Sequence, residues 1–332
     1  MHSFSFRPSL VLLVSVLLLS LASCKKKPVW YQDFDAAMNE ANASGRQVLV
    51  LFSGEDWDGK TTAFRSDILD RDEFLDSMRE KYVLLNIDLS EAEQAKALEE
   101  GEDKLREAIE AKSAIIRSYG VSSFPTLYLL SPEGYVLTIV QYNEGLNSPA
   151  VLQEIFSEQA DGIQSVSSAI ARVQSSGGAD KAKAIDALYE STPEAGRKPL
   201  GALIRELPSL DPADTNKLAG KYEFISTYED AIENMSEGIR DGVAESFINI
   251  AEKGHLSPGQ KFEAYYNAAY IMALLGDSDY DKMHELLGKA QESDPENVRM
   301  EDITNLMGMI AQMRDIMNQN DDAFSYPGAS GD

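Results

Sequence analysis

The first half of the chain alternates between short, continuous apolar runs and stretches with helical spacing. Val48 to Phe52 is apolar and rich in β-branched residues, which is typical of a strand buried on both faces. Further runs cover Tyr82 to Asp88 and Thr126 to Leu130, and the turn Ser131-Pro-Glu-Gly134 leads into Tyr135 to Tyr142. The pattern predicts four strands, the last two paired as a hairpin.

Helical periodicity fills the intervals between these runs. We predict helices at residues 34–43, 70–80 and 150–160, and one that opens after the acidic loop 55–58 and turns Phe64, Ile68 and Leu69 inward. Ser90 to Tyr119 is predicted as a long helical insertion with a solvated, charged face. Its apolar stripe consists of Leu98, Leu105, Ile109, Ile115 and Ile116.

The order of these elements places two short motifs near each other. Phe124-Pro125-Thr126 precedes the third strand, and Trp57 lies in the loop after the first. Over roughly residues 29–159 the chain resembles the thioredoxin superfamily, whose members carry Trp-Cys-x-x-Cys and Phe-Pro-Thr segments at these places. The resemblance implies a central mixed sheet flanked by helices, a cis Pro125, and a peptide-binding edge at Phe124, Pro125 and Thr126. The two cysteine positions fall on Asp58 and Thr61.

The chemistry of that superfamily is absent at these positions. Cys24 is the only cysteine in the sequence. Thiol–disulfide exchange needs an attacking thiolate and passes through a mixed disulfide, which Asp58 and Thr61 cannot form. We therefore expect no oxidoreductase activity from this site, no catalytic residue and no enzyme.

Cys24 follows a segment that is typical of an export signal. Arg7 precedes an apolar run from Leu10 to Leu21, which is shorter than the ~20 residues of a transmembrane helix. The ending Leu21-Ala22-Ser23-Cys24 resembles a bacterial lipobox, so residues 1–23 are predicted as a lipoprotein signal peptide and Cys24 as the lipidated residue. The alternative is an ordinary cleaved signal with a chance cysteine.

Residues 24–28 form the predicted tether, whose three lysines face anionic headgroups or serve as a solvated spacer. A membrane lipid is thus the first expected partner, held through acylated Cys24. Lysine after the cysteine favours the outer membrane, facing the periplasm or the cell surface, if the host follows the rule in which aspartate there means inner-membrane retention.

The acidic loop and the aromatic residues each allow two interpretations. Glu55, Asp56 and Asp58 precede a helix, where carboxylates accept orphan amide hydrogens; a divalent-cation site is the alternative, and we assign no metal ligand. Trp57 and Phe124 either keep a groove that binds an extended peptide or simply pack on the sheet edge.

The second half, from Asp161 to Asn318, has helical spacing broken by Gly and Pro and no strand pattern. One segment is similar to a tetratricopeptide repeat, which implies paired helices and a concave protein-binding face. It departs from the repeat by an insertion at Ser278-Asp279 and by Met283, where a small residue is usual. The matching positions are Tyr265, Ala269, Gly276, Leu287, Ala290 and Pro295.

The last predicted helix, 298–317, caps this array. Its methionines form either an adaptable binding surface or part of the core. They are Met300, Met307, Met309, Met313 and Met317.

Length and net charge limit the number of domains and the class of partner. About 300 residues after the signal are too many for one small core, so we predict a thioredoxin-like domain at 29–160 and an α-helical, tetratricopeptide-like domain at 161–319. A disordered tail follows at 320–332. The net charge of −25 excludes nucleic acid as a partner, and no cofactor site is predicted.

These features predict a redox-inactive envelope lipoprotein that acts as a protein-binding adaptor or chaperone-like factor on an envelope protein or peptide. One alternative is an accessory protein for thiol–disulfide exchange that relies on external thiols. Another is a structural surface lipoprotein without a specific partner.

Overall fold

We describe a computed structural model that covers residues 30–253 and 255–324, with the backbone alone for residues 317–324. The predicted signal peptide, Cys24, the tether and the end of the tail lie outside the described residues. The first half forms a mixed sheet in the order β2-β1-β3-β4, with β1 parallel to β2 and the other pairs antiparallel. The strands are β1 (Gln47–Ser53), β2 (Tyr82–Asp88), β3 (Thr126–Leu130) and β4 (Val136–Gln141).

Six helices surround this sheet, and four of them lie close to the predicted positions. Polar residues begin several of them: Asp33 accepts a hydrogen bond from the Ala36 N–H at 2.7 Å, and Ser148 precedes a proline in the first turn of its helix. The helices are α1 (Phe34–Ser44), α2 (Gly59–Phe64, continued by a π-helical turn, Arg65–Leu69), α3 (Asp72–Met78), α4 (Glu91–Ala97), α5 (Asp103–Ser118) and α6 (Pro149–Glu158).

Alternate residues of the central strand face two different cores, as the two-residue period of a strand requires. Val48 and Val50 pack in a cluster with α1 and α5, whereas Leu49 and Leu51 pack in a cluster with α2, α3 and α6. Phe64, Ile68 and Leu69 are all buried in the second cluster, as predicted. Because both faces of β1 are covered, its continuous apolar run is explained.

The predicted helix from Ser90 to Tyr119 is wrong as a single element. The chain forms α4 and α5 with a break at residues 98–102, where Gly101 adopts a positive φ of 87°. Leu98, assigned to the buried stripe, follows the end of α4 and is 84% exposed. Only Ile116 of that stripe is fully buried, while Leu105, Ile109 and Ile115 are half-buried.

From residue 160 onward the described residues contain helices and no strand, which confirms the predicted all-α second half. Nine α-helices and two short 3₁₀ turns, 194–196 and 198–200, follow one another here. The helices are α7 (Ala160–Ser175), α8 (Gly178–Ser191), α9 (Gly201–Ile204), α10 (Leu207–Leu210), α11 (Ala219–Ser236), α12 (Val243–Glu252), α13 (Pro258–Leu274), α14 (Tyr280–Ser293) and α15 (Met300–Phe324).

The hydrophobic core continues across the predicted domain boundary at residue 160. Leu137 and Val140 of β4 belong to the same cluster as Val166 and Ile170 of α7. Farther along, the backbone at Gly196 approaches β4 so closely that an added Cβ would lie 2.7 Å from the Val136 side chain. The helices that follow residue 160 therefore cover the edge strand of the sheet.

A second cluster holds α11 to α15 together. At the positions that match the repeat, Ala269, Leu287 and Ala290 are fully buried and Tyr265 is nearly so, Gly276 has a φ of 74° after α13, and Pro295 follows α14. Met283 is also fully buried, so the cluster accommodates it without a small residue.

The last helix differs from its predicted extent and burial. α15 runs to Phe324, five residues into the predicted tail 320–332, since the first helix breaker is Pro327. Its buried positions are Ile303, Leu306 and Ile310. Met309 is exposed, Met300, Met307 and Met313 are half-buried, and the Met317 side chain lies outside the described residues.

Candidate functional site

The two positions that correspond to the redox cysteines lie where β1 gives way to α2, and a hydrogen bond joins them. Asp58 is the N-cap of α2 and accepts from the backbone N–H groups of Lys60 (3.3 Å) and Thr61 (3.0 Å). The Thr61 hydroxyl donates to Asp58 Oδ2 at 2.6 Å and is fully buried. Two cysteines at these positions could exist as a reduced dithiol or as a disulfide. Asp58 and Thr61 have no such pair of redox states, so the hydrogen bond holds the loop in one arrangement.

Trp57 projects from this loop and remains 47% exposed. Its indole N–H donates to the Leu89 carbonyl at 2.7 Å, and its ring lies over Gly54, where a Cβ would collide with it. The ring meets Phe124 edge to face, with centroids 5.8 Å apart and planes at 88°. This contact brings the two predicted motifs together.

The Phe124–Pro125 peptide bond is cis, as the resemblance implied. Pro125 and Thr126 are buried, and the Thr126 hydroxyl donates to the Ser123 carbonyl at 2.7 Å. Within the described part of the chain, no group hydrogen-bonds to the backbone N–H or C=O of Phe124. A half-exposed aromatic surface thus adjoins an unpaired backbone donor and acceptor, which is what strand addition by an extended peptide requires.

The acidic loop is not a single helix cap, contrary to the prediction, because its three carboxylates diverge. Only Asp58 caps α2. Asp56 caps α4 instead, accepting from Ser90 Oγ (2.7 Å) and from the Glu91 and Ala92 N–H groups (each 2.8 Å). The Ala92 N–H, together with the Ser90 hydroxyl, lowers the pKa of Asp56 below its ordinary value of 3.8.

The third carboxylate, Glu55, turns back toward the sheet. It accepts from Asn86 Nδ2 at 2.8 Å and forms an ion pair with Arg65, also at 2.8 Å. The described residues contain no group of three or more His, Cys, Asp or Glu side chains arranged to hold a metal ion. The three loop carboxylates contact different partners and so anchor the loop at three places.

A buried polar network at the strand ends was missed by sequence reasoning. The Ser53 hydroxyl lies 2.9 Å from Asn86 Oδ1 and 2.8 Å from Asp88 Oδ1, and the Glu55 N–H donates to the same Asp88 oxygen at 2.8 Å. The sequence contained one indication of this network: Ser53 and Asp88 each end an apolar run, and parallel strands bring such ends together. This network fixes the start of the Trp57 loop.

No helix among the described residues combines the length and the apolar character that a membrane crossing needs. The predicted signal segment is outside the described residues.

Comparison with known proteins gives two separate family matches along the chain. Residues 34–160 match the family described as "Thioredoxin-like domain", and residues 218–316 match a family described as "Uncharacterised protein C-terminal domain". The chain therefore contains a thioredoxin-like domain followed by an all-helical C-terminal region. Residues 161–217 lie between the two matches.

Two relatives and one solved structure are similar to parts of the chain. An "Uncharacterized protein" of Treponema pallidum (strain Nichols) is 25% identical over 210 residues, which is 63% of this chain and 70% of that protein. "Thioredoxin-related protein DsbJ" of Chlamydia pneumoniae is 28% identical over 105 residues, 32% of this chain and 28% of that protein. A structure titled "DsbH Oxidoreductase" has 15% identity and a TM-score of 0.34, covering 48% of this chain and 94% of that one.

Proposed function

We propose that this protein is a redox-inactive lipoprotein of a bacterial cell envelope that binds an extended segment of a partner protein at the motif edge, the surface formed by Trp57 and Phe124 beside the cis peptide bond to Pro125. The observation that carries the proposal is the pairing of Asp58 with Thr61 beside a half-exposed aromatic surface. The two cysteines that thiol–disulfide exchange needs are replaced at this edge, whereas the aromatic surface that would bind a peptide is retained.

The geometry of the edge supports an extended peptide rather than a small ligand. The unpaired N–H and C=O of Phe124 offer hydrogen bonds to a backbone, and Trp57 offers an apolar contact beside them. DsbJ is named as a thioredoxin-related protein. In our proposal this chain does not share the thiol chemistry of thioredoxins, because its single cysteine, Cys24, is far from the motif in sequence.

The membrane anchor in this proposal is an acyl chain on Cys24, assisted by the three following lysines. A tether of so few residues keeps the binding edge near the membrane surface. The partner is accordingly an envelope protein, and neither nucleic acid nor a cofactor takes part.

Site-specific photo-crosslinking in intact cells tests this function. The probe, p-benzoylphenylalanine, replaces Ser122, an exposed residue two positions before Phe124 whose side chain forms no described hydrogen bond. We expect a discrete adduct from position 122. The matched control places the probe at Lys104, an exposed position on α5, where no such adduct is expected.

A second variant separates recognition from chance proximity. Trp57→Ala removes the exposed ring, so the adduct from position 122 should fall by at least about threefold while the amount of protein is unchanged. Adducts of equal strength from positions 104 and 122, or no adduct from an abundant folded protein, would contradict binding at the motif edge and favour a structural role.

A further inference from the structure

A cleft of about 520 Å³ opens in the helical half, far along the chain from the motif edge, and its walls are largely aromatic. Residues of α11 form one wall and residues of α13 form the other, with one arginine from the segment before α15. We call this the aromatic cleft. Its lining consists of Phe224, Tyr228, Glu263, Tyr266, Asn267, Tyr270 and Arg299.

The wall on α13 is a ladder of stacked rings spaced one turn apart. Phe262 and Tyr266 are nearly parallel, at 9° with centroids 6.4 Å apart, and Tyr266 and Tyr270 follow at 11° and 6.2 Å. Opposite them, Phe224 and Tyr228 stack at 22° and 6.5 Å. Tyr270 is 46% exposed and Tyr228 47%, so both walls end in rings that face solvent.

This ladder already holds a guanidinium over its middle ring, Tyr266. The Arg299 guanidinium lies 4.4 Å from the centroid of Tyr266 and forms ion pairs with Glu263 and Asp302. Since two carboxylates face one arginine, the cluster carries a net negative charge, and Arg299 has no remaining need of an anionic ligand. The surroundings therefore favour a cation over an anion.

We propose that the outer end of the aromatic cleft, between Tyr228 and Tyr270, binds an arginine or lysine side chain from a basic segment of a partner protein. The two exposed rings provide the same surface that Tyr266 provides to Arg299. The chain's net charge of −25 attracts a basic segment. This site is independent of the motif edge and does not rest on the function proposed above.

The surface beyond the cleft suits a peptide rather than a free small cation. Ile232 lies one turn beyond Tyr228 on α11, and Leu274 lies one turn beyond Tyr270 on α13. Both are large, apolar and more than half exposed. In a peptide, a cationic side chain could contact the two exposed tyrosine rings while the apolar side chain that follows it contacts Ile232 and Leu274.

The test uses two peptides on the chain from residue 25 to residue 332. One is the acetylated, amidated sequence glycine–arginine–leucine–glycine, and the other replaces arginine by citrulline, which keeps the shape and removes the charge. Binding is followed by the ring resonances of Tyr228 and Tyr270 in protein labelled at tyrosine. We expect a saturable shift with the arginine peptide and at least about threefold weaker binding of the citrulline peptide.

Matched variants then test whether the rings of Tyr228 and Tyr270 bind the arginine peptide. Tyr228→Leu combined with Tyr270→Leu keeps apolar bulk and removes the aromatic faces, so binding should weaken about tenfold. Tyr228→Phe combined with Tyr270→Phe should bind within about twofold of the original chain. Leu98→Ala, an exposed change in the other half, should have no effect.

Three results would overturn the proposal. Equal binding of the two peptides would show an apolar groove without cation recognition, and unchanged binding by the leucine variant would place the peptide elsewhere on the acidic surface. Tetramethylammonium binding as tightly as the arginine peptide would indicate a small-cation site instead of a docking site. Should the leucine variant fail to fold, the citrulline comparison on the original chain still decides.

Discussion

Asp58 combines two structural roles at a position where thioredoxin-superfamily members carry a redox cysteine. Its carboxylate caps α2 through the Lys60 and Thr61 N–H groups and accepts the Thr61 hydroxyl at 2.6 Å. In an oxidised thioredoxin-like site a covalent bond joins the same two positions. Here a hydrogen bond takes its place, so the loop keeps one conformation independently of the redox conditions.

Replacing the Asp58 carboxylate should lower the free energy of unfolding, and by more when the new side chain has no oxygen to cap α2. Asp58→Ala leaves the amides without an acceptor, and we expect a loss of about 1–2 kcal/mol in the free energy of unfolding. Asp58→Asn retains a capping oxygen and should lose much less. Tryptophan fluorescence during urea unfolding measures both variants, because Trp30 and Trp57, the two tryptophans of the sequence, lie in the thioredoxin-like half.

Alanine and asparagine variants that are both as stable as the original chain would contradict this role of the carboxylate. A large loss in both would instead point to the buried contact with Thr61 rather than to the cap.

The cap that the Asp56 carboxylate provides to α4 should depend on pH. Its pKa is lowered from 3.8 in the folded protein, so its cap on α4 is fully present above that value and is lost as the pH falls through the lowered pKa. Protection of the Glu91 and Ala92 amides against hydrogen exchange should therefore decrease below about pH 3.8. In the Asp56→Asn control this acid-dependent decrease should vanish, and its persistence would assign it to another group.

At the scale of whole elements, the strands were predictable and the connections between them less so. Val48 to Phe52 and Val83 to Leu85 are apolar because both faces of the sheet are covered, and that signal is local in sequence. The break between α4 and α5 depends on Gly101, inside a charged stretch whose helical spacing looked continuous. The cap that Asp56 provides to α4 joins residues more than 30 positions apart, which no local pattern indicates.

Helix packing in the C-terminal region depends on a glycine that spacing alone did not single out. Gly220, in the first turn of α11, faces the backbone of His255, and an added Cβ would lie 2.8 Å from the His255 carbonyl carbon. Gly220→Ala should destabilise this region by about 1–3 kcal/mol, since backbone yields less readily than a side chain.

Gly288→Ala is the matched control, within α14 and with nothing near the added methyl group. It should stabilise the region by about 0.5–1 kcal/mol. Thermal unfolding followed by circular dichroism compares the two variants. A Gly220→Ala protein as stable as the Gly288→Ala protein would show that α11 shifts freely against the turn before α13.

Across the whole molecule, the sequence indicated two domains but not how much core they share. The composition and the motif order placed a boundary near residue 160, whereas the cluster of the sheet continues through α7 into the helices beyond it. The contact of Gly196 with Val136 covers β4, an edge strand of the sheet.

Truncation measures that shared core. A chain of residues 29–160 loses the cover of Val136 and Leu137, whereas a chain of residues 29–217 keeps it. At about 1.5–3 kcal/mol for each buried aliphatic side chain, we expect the shorter chain to be less stable by about 3 kcal/mol or more. Urea unfolding followed by tryptophan fluorescence provides the comparison, and coincident transitions would show that the sheet is complete without the helices.

The central claim is that a thioredoxin-like site has kept its binding surface and lost its thiol chemistry, and a disulfide-reduction assay tests the second part directly. The chain from residue 25 is added to insulin with dithiothreitol, beside an Asp58→Cys/Thr61→Cys variant that restores the two cysteines. We predict that the original chain leaves the rate of insulin reduction at the background value, whereas the double variant raises it. Acceleration by the original chain would contradict the account, because it would show that the site takes part in thiol exchange without cysteines of its own.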